Sequence, residues 1–540
     1  MPAAVPLPAP VSEGTLTRRG FLERVGQVGG VAAVDGAMRA LHLGGASAST
    51  AFAPTGRAPR RTKVIVLGAG LSGLASAWEL QKLGYDVTVL EGRARAGGRC
   101  FTIRRGTVSE EVGQPSQTAA FEEPLYLNAG PARIPHHHQT TLDYCRELGV
   151  AIEMFCSVNE AAWLHQSAAA DPTCRLLRMR ELRADWRGHT SELLAKAISQ
   201  ESLDRAMSAE DRDRIVEWLK REGGLGADLK YAGTPRRGYV TAPGAADVAG
   251  RQSDPLGLSD LVRTSFGPNL TTELALQMPM FQPVGGMDRI AAALAAKVSH
   301  VTLGAEVQAI EQPAGRVRVR YRDSSGASRE VEGAYAICAL PLTVLRTLSV
   351  DIAPAMREAM AAVNYASAGK IGLQFKRRFW EEDDGIFGGI TKTDLPITQI
   401  LYPSTGYLSK KGVVVGYYQN GPQAATMGAL PPAERQTRAL EQGGQIHPQY
   451  PREFEHAFSV AWQNVPWNRG GWAQWTEAQR RAEYHTLNEP DRGLYLCGDH
   501  LTWTSGWMAG AFESARRVVS MVHERASREA GAGTQAAASR

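Results

Sequence analysis

Lys63-Val64-Ile65-Val66-Leu67 runs without a break into Gly68-Ala69-Gly70-Leu71-Ser72-Gly73. The first five residues are a short apolar run with β-branched side chains, the pattern of a buried parallel strand. Leu74 to Leu83 reads as a helix that Gly84 stops, and Asp86 to Leu90 reads as a second strand. Glu91 stands at its end, eighteen residues after Gly73. Each position has a chemical reason. Gly68 permits the tight turn, Gly70 lets backbone approach a pyrophosphate, and Gly73 lets the helix pack close to the strand. The helix start, at Leu71 and Ser72, offers free N–H groups and partial positive charge to phosphates. Glu91 accepts hydrogen bonds from ribose hydroxyls. Strand, glycines, helix, strand and acid in register predict an α/β fold with a Rossmann-like dinucleotide site.

The next residues narrow the choice of dinucleotide. Gly92-Arg93-Ala94-Arg95-Ala96-Gly97-Gly98-Arg99 follows Glu91 directly. It resembles the second glycine-arginine motif of FAD enzymes in the flavin amine oxidase superfamily. The resemblance implies that Gly97, Gly98 and Arg99 wrap the FAD diphosphate. Asn128-Ala129-Gly130-Pro131-Ala132-Arg133-Ile134-Pro135 resembles the flavin-adjacent loop of L-amino acid oxidases. By that likeness Gly130, Pro131 and Ala132 touch the flavin and Arg133 grips the substrate carboxylate. A guanidinium fork suits that task, because it makes two parallel charge-assisted hydrogen bonds.

The likeness continues down the chain. Gly304-Ala305-Glu306-Val307 is similar to the segment that meets the adenine, which assigns Val307 to the cofactor. Ser367-Ala368-Gly369-Lys370-Ile371 carries the lysine that holds a water near the flavin in related oxidases, so Lys370 is a catalytic candidate. In Leu401-Tyr402-Pro403, Tyr402 matches a wall of the substrate cage. Trp462 resembles a tryptophan beside the flavin, with plain core packing as the alternative. In Gly470-Gly471-Trp472, Trp472 stands where monoamine oxidases carry a flavin-bonded cysteine. Non-covalent FAD is therefore expected, with an aromatic or large apolar substrate side chain facing Trp472. Gly498-Asp499-His500 resembles the closing FAD motif, with Asp499 where the family usually has Glu. Gly506, Trp507 and Met508 open the last helix; Trp507 matches the second cage wall, and the Gly506 carbonyl is expected to accept from the substrate amine.

Composition sets the frame. The chain has 540 residues, 43% hydrophobic and 21% charged, enough for about three globular domains. No run of eighteen apolar residues occurs, so no membrane span is expected. Net charge is +5, but the first 61 residues hold seven Arg against three acids, leaving the rest almost neutral. That balance gives no hint of a nucleic-acid partner. The six cysteines include no CxxC pair and read as buried or free thiols. His136-His137-His138 has no partner at metal-ligand spacing and reads as the start of a solvated helix; no metal is expected. Thr17-Arg18-Arg19-Gly20-Phe21-Leu22 resembles a twin-arginine export signal, with Ala46-Ser47-Ala48 as a cleavage site. If that leader is used, the protein is periplasmic or secreted; otherwise it is cytoplasmic.

The expected organisation is a Rossmann-like FAD-binding domain (61–150, 276–345 and 476–525) interleaved with a mixed-sheet substrate domain (346–475). A helical insertion at 151–275 covers the substrate entrance, a leader occupies 1–60, and a disordered tail occupies 526–540. The resemblance implies oxidative deamination of an L-amino acid by FAD and oxygen, in a homodimer. An amino acid 2-monooxygenase, a monoamine oxidase and a catalytically inert flavin-binding protein remain alternatives.

Overall fold

The computed structural model describes residues 52, 54, 56–59, 62–167, 175–200, 207–241, 251–263 and 279–538. The twin-arginine motif and its cleavage site lie outside them. The compact unit that carries the site begins at Phe52. The elements that build the site are, in chain order, β1 (Lys63–Leu67), α1 (Leu71–Lys82), β2 (Asp86–Glu91), α2 (Gln139–Glu147), β3 (Val301–Leu303), β4 (Tyr335–Cys338), β5 (Ala368–Phe375), β6 (Gly412–Asn420), β7 (Phe454–Ala461), β8 (Leu494–Leu496) and α3 (Met508–Ala538).

β1 to β4 and β8 form a five-stranded sheet in the order β3-β2-β1-β4-β8. Every pair in it is parallel. A parallel sheet needs both faces covered, which is why Val64 to Leu67 are all buried. One face packs on α1 and α3 through Leu74, Leu80, Phe512 and Val519. The other packs on a four-stranded sheet through Ile65, Leu67, Ile310 and Val319. Three stretches distant in sequence thus make one nucleotide-binding layer.

A second sheet has seven strands. Its order is β7, β5, β6, Gln399–Leu401, Ile390–Thr393, Trp163–His165 and Leu176–Arg178. The last two strands correct the reading of 151–275 as a helical block. Trp163–His165 and Leu176–Arg178 extend the substrate sheet, and only then do the helices Met179–Ser199 and Ala209–Gly223 begin. Strands of three residues carry too short an alternation to be seen in the sequence.

The C-terminal end also differs from expectation. Residues from 526 onward were expected to be disordered, yet α3 continues to Ala538. Ala-rich sequence has the highest helix propensity, and Glu529 ties this segment down. It accepts from Arg525 at 2.8 Å, one turn away, and from the Tyr335 hydroxyl of β4.

Candidate active site

The turn after β1 is shaped by close contact. Gly68 has φ +94, a conformation that favours glycine. A Cβ on Gly73 would lie 1.9 Å from the Gly68 carbonyl oxygen, so α1 can reach the turn only with glycine there. Gly70 is different, because a Cβ there would meet nothing within 4 Å. Protein packing does not demand glycine at 70; the open space in front of it does. Gly70 caps α1, no side chain caps the helix, and no acid stands in its first turn. The orphan N–H groups therefore face that space.

The space is the mouth of a cavity of about 450 Å³ between the two sheets. Gly68, Gly70, Leu71, Ser72 and Glu91 line its nucleotide end, with Gly97, Gly98, Arg99 and Val307. Glu91 is held by the backbone N–H groups of Ala69 at 2.7 Å and Arg93 at 2.9 Å. Gly97 and Gly98 have φ +101 and +56. Arg99 donates to the Gly471 carbonyl at 2.5 Å and pairs with Asp499, 400 residues away. Asp499 also accepts the Gly506 N–H at 2.9 Å. Burial opposes ionisation of Asp499, but Arg99 wins and holds its carboxyl below the usual value. Arg93, Trp467 and Asn468 line the same end and were not anticipated. Arg93 donates to Glu110 at 3.0 Å and to Asn468, so loop 462–472 closes over the glycine-arginine turn.

Further along lie Gly130, Pro131, Lys370, Trp462, Trp472, Gly498, Asp499, Gly506, Trp507 and Met508. A Cβ on Gly130 would sit 1.8 Å from the Arg99 carbonyl oxygen. The Trp462 indole donates to the Ala129 carbonyl at 3.1 Å. Lys370 is buried in β5, and its Nζ donates to the carbonyls of Asn128 at 3.1 Å and Gly130 at 2.5 Å. Burial, then Arg133, push this amine down to about 7. His500, also in the wall, is pushed down to about 4 by burial.

Arg133 stands at the substrate end. Its guanidinium carbon is 5.9 Å from the Trp507 ring centre. Its Nε is buried without a hydrogen-bond partner, and among the described residues no carboxylate pairs with it. Gly73, Ala132 and Arg133 are not part of the cavity wall; Gly73 acts through packing, and Arg133 stands behind the wall against Trp507.

Tyr402 requires correction. It is buried on the opposite face of the sheet, in a core with Phe379 and Tyr450. Its hydroxyl donates to Thr391 at 2.8 Å and meets His447 Nε2 at 2.6 Å. The tyrosine that lines the cavity is Tyr418, whose ring centre is 4.7 Å from Lys370 Nζ. Strand alternation decides between them. Leu401 pairs with Val415 on the cavity face, so its neighbour Tyr402 points away. The sequence signal existed in the apolar strand at 412–418, but Tyr417 and Tyr418 are adjacent. A register shift between Ile371 and Gly372 determines which of them faces inward.

The histidine run is not solvated as expected. His138 caps α2 and is buried, with its ring 4.9 Å from the Trp507 ring. Among the described residues no cluster of three His, Cys, Asp or Glu could hold a metal. Cys100, Cys145, Cys156, Cys338 and Cys497 are free thiols.

A dinucleotide fits these residues: uncapped helix N–H groups, an open glycine, a ribose-length acid and a flanking guanidinium all face one cavity. Comparison with known proteins agrees. An L-amino-acid oxidase of Gloydius halys is 28% identical over 469 residues, covering 84% of this chain and 87% of that protein. The flavin-dependent L-tryptophan oxidase RebO of Lentzea aerocolonigenes is 28% identical over 491 residues, covering 85% and 97%. Among solved structures, cyclohexylamine oxidase from Brevibacterium oxydans aligns with a TM-score of 0.56 at 16% identity, over 86% of this chain and 99% of that one; this likeness is one of fold. The flavin containing amine oxidoreductase family matches residues 71–523. Spanning that match, from the helix after the glycine turn to the last helix, the chain belongs to the flavin containing amine oxidoreductase family and is an FAD enzyme.

Proposed function

We propose that the protein oxidises L-amino acids. Substrate, oxygen and water give a 2-oxo acid, ammonia and hydrogen peroxide. The observation that carries this reading is Arg133, a half-buried guanidinium with an unpartnered Nε beside Trp507 and without a carboxylate of its own. A cation left unpaired in a partly desolvated site is unfavourable unless an anion arrives to meet it. An amine substrate brings none, whereas an amino acid does. The oxidase names of the two sequence relatives point the same way.

Bound FAD supplies a hydride acceptor and passes the electrons to oxygen. The chain's own residues bind and orient. Arg133 grips the α-carboxylate, and Tyr418 and Trp507 confine the amine between their rings, which fixes where the Cα–H points. The Gly506 carbonyl is the acceptor for the amine N–H. The substrate end holds Lys370, Tyr418, Trp472 and Trp507 with Arg133 against Trp507, and Asp499, a carboxylate of the same wall, is engaged by Arg99 and the Gly506 N–H. The amine proton therefore leaves to water or to Lys370, whose pKa near 7 lets it exchange a proton at neutral pH. Trp472 in the place of a cysteine supports non-covalent FAD.

A peroxide-coupled panel of L-amino acids beside phenethylamine tests the reading. Peroxide from amino acids and none from the amine is expected; the reverse refutes Arg133 as the clamp. Amide in place of peroxide would identify a monooxygenase. The reading includes a homodimer, checked by size-exclusion chromatography, and export through the twin-arginine leader, checked by sequencing the mature N-terminus. Among the described residues no helix is long and apolar enough to cross a membrane.

A further inference from the structure

The cavity-facing side of the seven-stranded sheet carries a line of polar groups that runs from Lys370 and Tyr418 to two that hydride transfer does not use, Gln399 and Lys392. Lys370 of β5 pairs with Tyr418 of β6, and beyond the register shift Gly372 pairs with Val415. Tyr418 and Val415 therefore share a face. Val415 pairs with Leu401, and Gln399, two residues earlier, pairs with Lys392. By the alternation of strands, Lys370, Tyr418, Gln399 and Lys392 stand on one face across four adjacent strands, a span of about 14 Å at ~4.8 Å per strand. The line is bonded together. Gln399 Nε2 donates to the Tyr418 carbonyl at 2.8 Å, and its Oε1 accepts from Lys392 Nζ at 2.7 Å.

Arg133, against Trp507, lies within electrostatic range of this line. It lowers the pKa of Lys370 and of Lys392, in both cases after burial. Among the described residues no carboxylate pairs with Arg133, Lys370 or Lys392. The nearest acid in sequence, Asp394, is occupied by the Ser167 N–H at 2.9 and 3.0 Å. Lys392 is also sheltered. Its neighbour across the sheet, Leu164, packs with Leu182 and Leu261 of the helical insertion. A half-buried lysine whose bonded partner is a neutral amide, within electrostatic reach of an equally unpaired arginine, gives this side of the sheet, continuous with the Lys370 and Tyr418 wall of the cavity, an excess of positive charge.

We propose that Lys392 is a specificity-determining residue that receives the side-chain carboxylate of an acidic L-amino acid whose α-carboxylate is held by Arg133. This rests on the L-amino acid oxidase reading and deepens it. The two anions of an aspartate or glutamate answer the two cations, Gln399 orients the ammonium, and the Cα–H stays at the Lys370 end beside the flavin loop. The aromatic side chain expected from Trp472 alone gives way, because an apolar group would leave Lys392 buried without a counter-charge.

The test compares L-glutamate, L-aspartate, L-glutamine, L-asparagine and L-phenylalanine in the peroxide-coupled assay, with the wild-type holoenzyme and the Lys392→Met and Lys392→Arg variants. For the wild type, kcat/KM with the better acid should exceed that with its amide by about 100-fold, the scale of a desolvated charge contact. Lys392→Met should collapse the acid-to-amide ratio about 30-fold or more through KM, with the amide rate within about threefold, and Lys392→Arg should restore the preference. Should the methionine variant fail to fold, the wild-type ratio decides alone, since acid and amide have the same shape. An enzyme that oxidises L-phenylalanine, and the acids no better than their amides, overturns the role of Lys392 and leaves the L-amino acid reading standing. An enzyme that oxidises amines and no amino acid overturns both.

Discussion

At the nucleotide end of the cavity the contacts come from main chain. The uncapped start of α1 presents N–H groups, the turn at Gly68 and the Gly97-Gly98 bend bring backbone close, and Glu91 is itself fastened by two backbone donors. At the substrate end the contacts come from side chains. Lys370, Tyr418, Trp472 and Trp507 reach in from four separate stretches of chain, with Arg133 from a fifth against Trp507. Main-chain groups recognise what every flavin dinucleotide shares, its phosphates and ribose, and glycine is the residue that lets them approach. Side chains recognise what differs between substrates. The first end should therefore fail by steric blockage and the second by loss of charge or of a wall.

Five substitutions break or sharpen that contrast, in falling order of effect. Gly73→Ala should all but abolish flavin binding, because a methyl 1.9 Å from the Gly68 carbonyl oxygen forces α1 off the turn. Flavin absorbance per protein should drop at least about tenfold, and overpacking should cost roughly 1–3 kcal/mol or more in thermal unfolding. Arg133→Ala should leave flavin content intact and lower kcat/KM for amino acids by an amount worth about 2–5 kcal/mol, carried by KM. Equal flavin loss in both variants would erase the distinction between the two ends.

Lys370→Met probes their junction. Burial, then Arg133, lower its folded-state pKa to about 7 from an ordinary 10.5. Between those values the unfolded chain holds one more proton than the folded one, so stability rises with pH across this window. Melting curves at pH 7 and at roughly pH 9.5 should differ for the wild type, and the methionine variant should lose that part of the slope. Last, Tyr418→Ala should weaken amino acid turnover about tenfold or more, while Tyr402→Phe should leave it within about twofold. Tyr402→Phe instead deprives buried His447 Nε2 and Thr391 of a partner and should cost about 1–3 kcal/mol of stability. A catalytic defect in Tyr402→Phe of the size seen at Tyr418 would return Tyr402 to the cage.

The contrast also explains how much of the site could be read from residues in a row. Gly68, Gly70, Gly73, Glu91, Gly97 and Gly98 lie within 31 residues, and turn, helix and strand there are local events with local signals. Apart from Gly73, which packs behind the turn, they line one cavity, as their spacing implies. Tyr402 failed because a tyrosine in a plausible motif says nothing about which face of a strand it occupies. The strands Trp163–His165 and Leu176–Arg178 were missed because three residues carry almost no periodicity. The helix after residue 526 was missed because small residues at a chain end read as a tail, whereas Glu529 docks on Tyr335 of β4.

Read by itself, the amino-acid order determined the strand, glycine turn and helix of a dinucleotide fold, the acid that ends the second strand, and the arginine that follows the turn at Gly130. Those features rest on contacts between near neighbours, whose geometry spacing dictates. Only the tertiary structure decided that Tyr418 faces inward, that Arg99 meets Asp499, and that Lys392 stands in line with Lys370. Each depends on strand register or on contact across hundreds of residues, and a shift of one residue in a strand reverses every side chain in it.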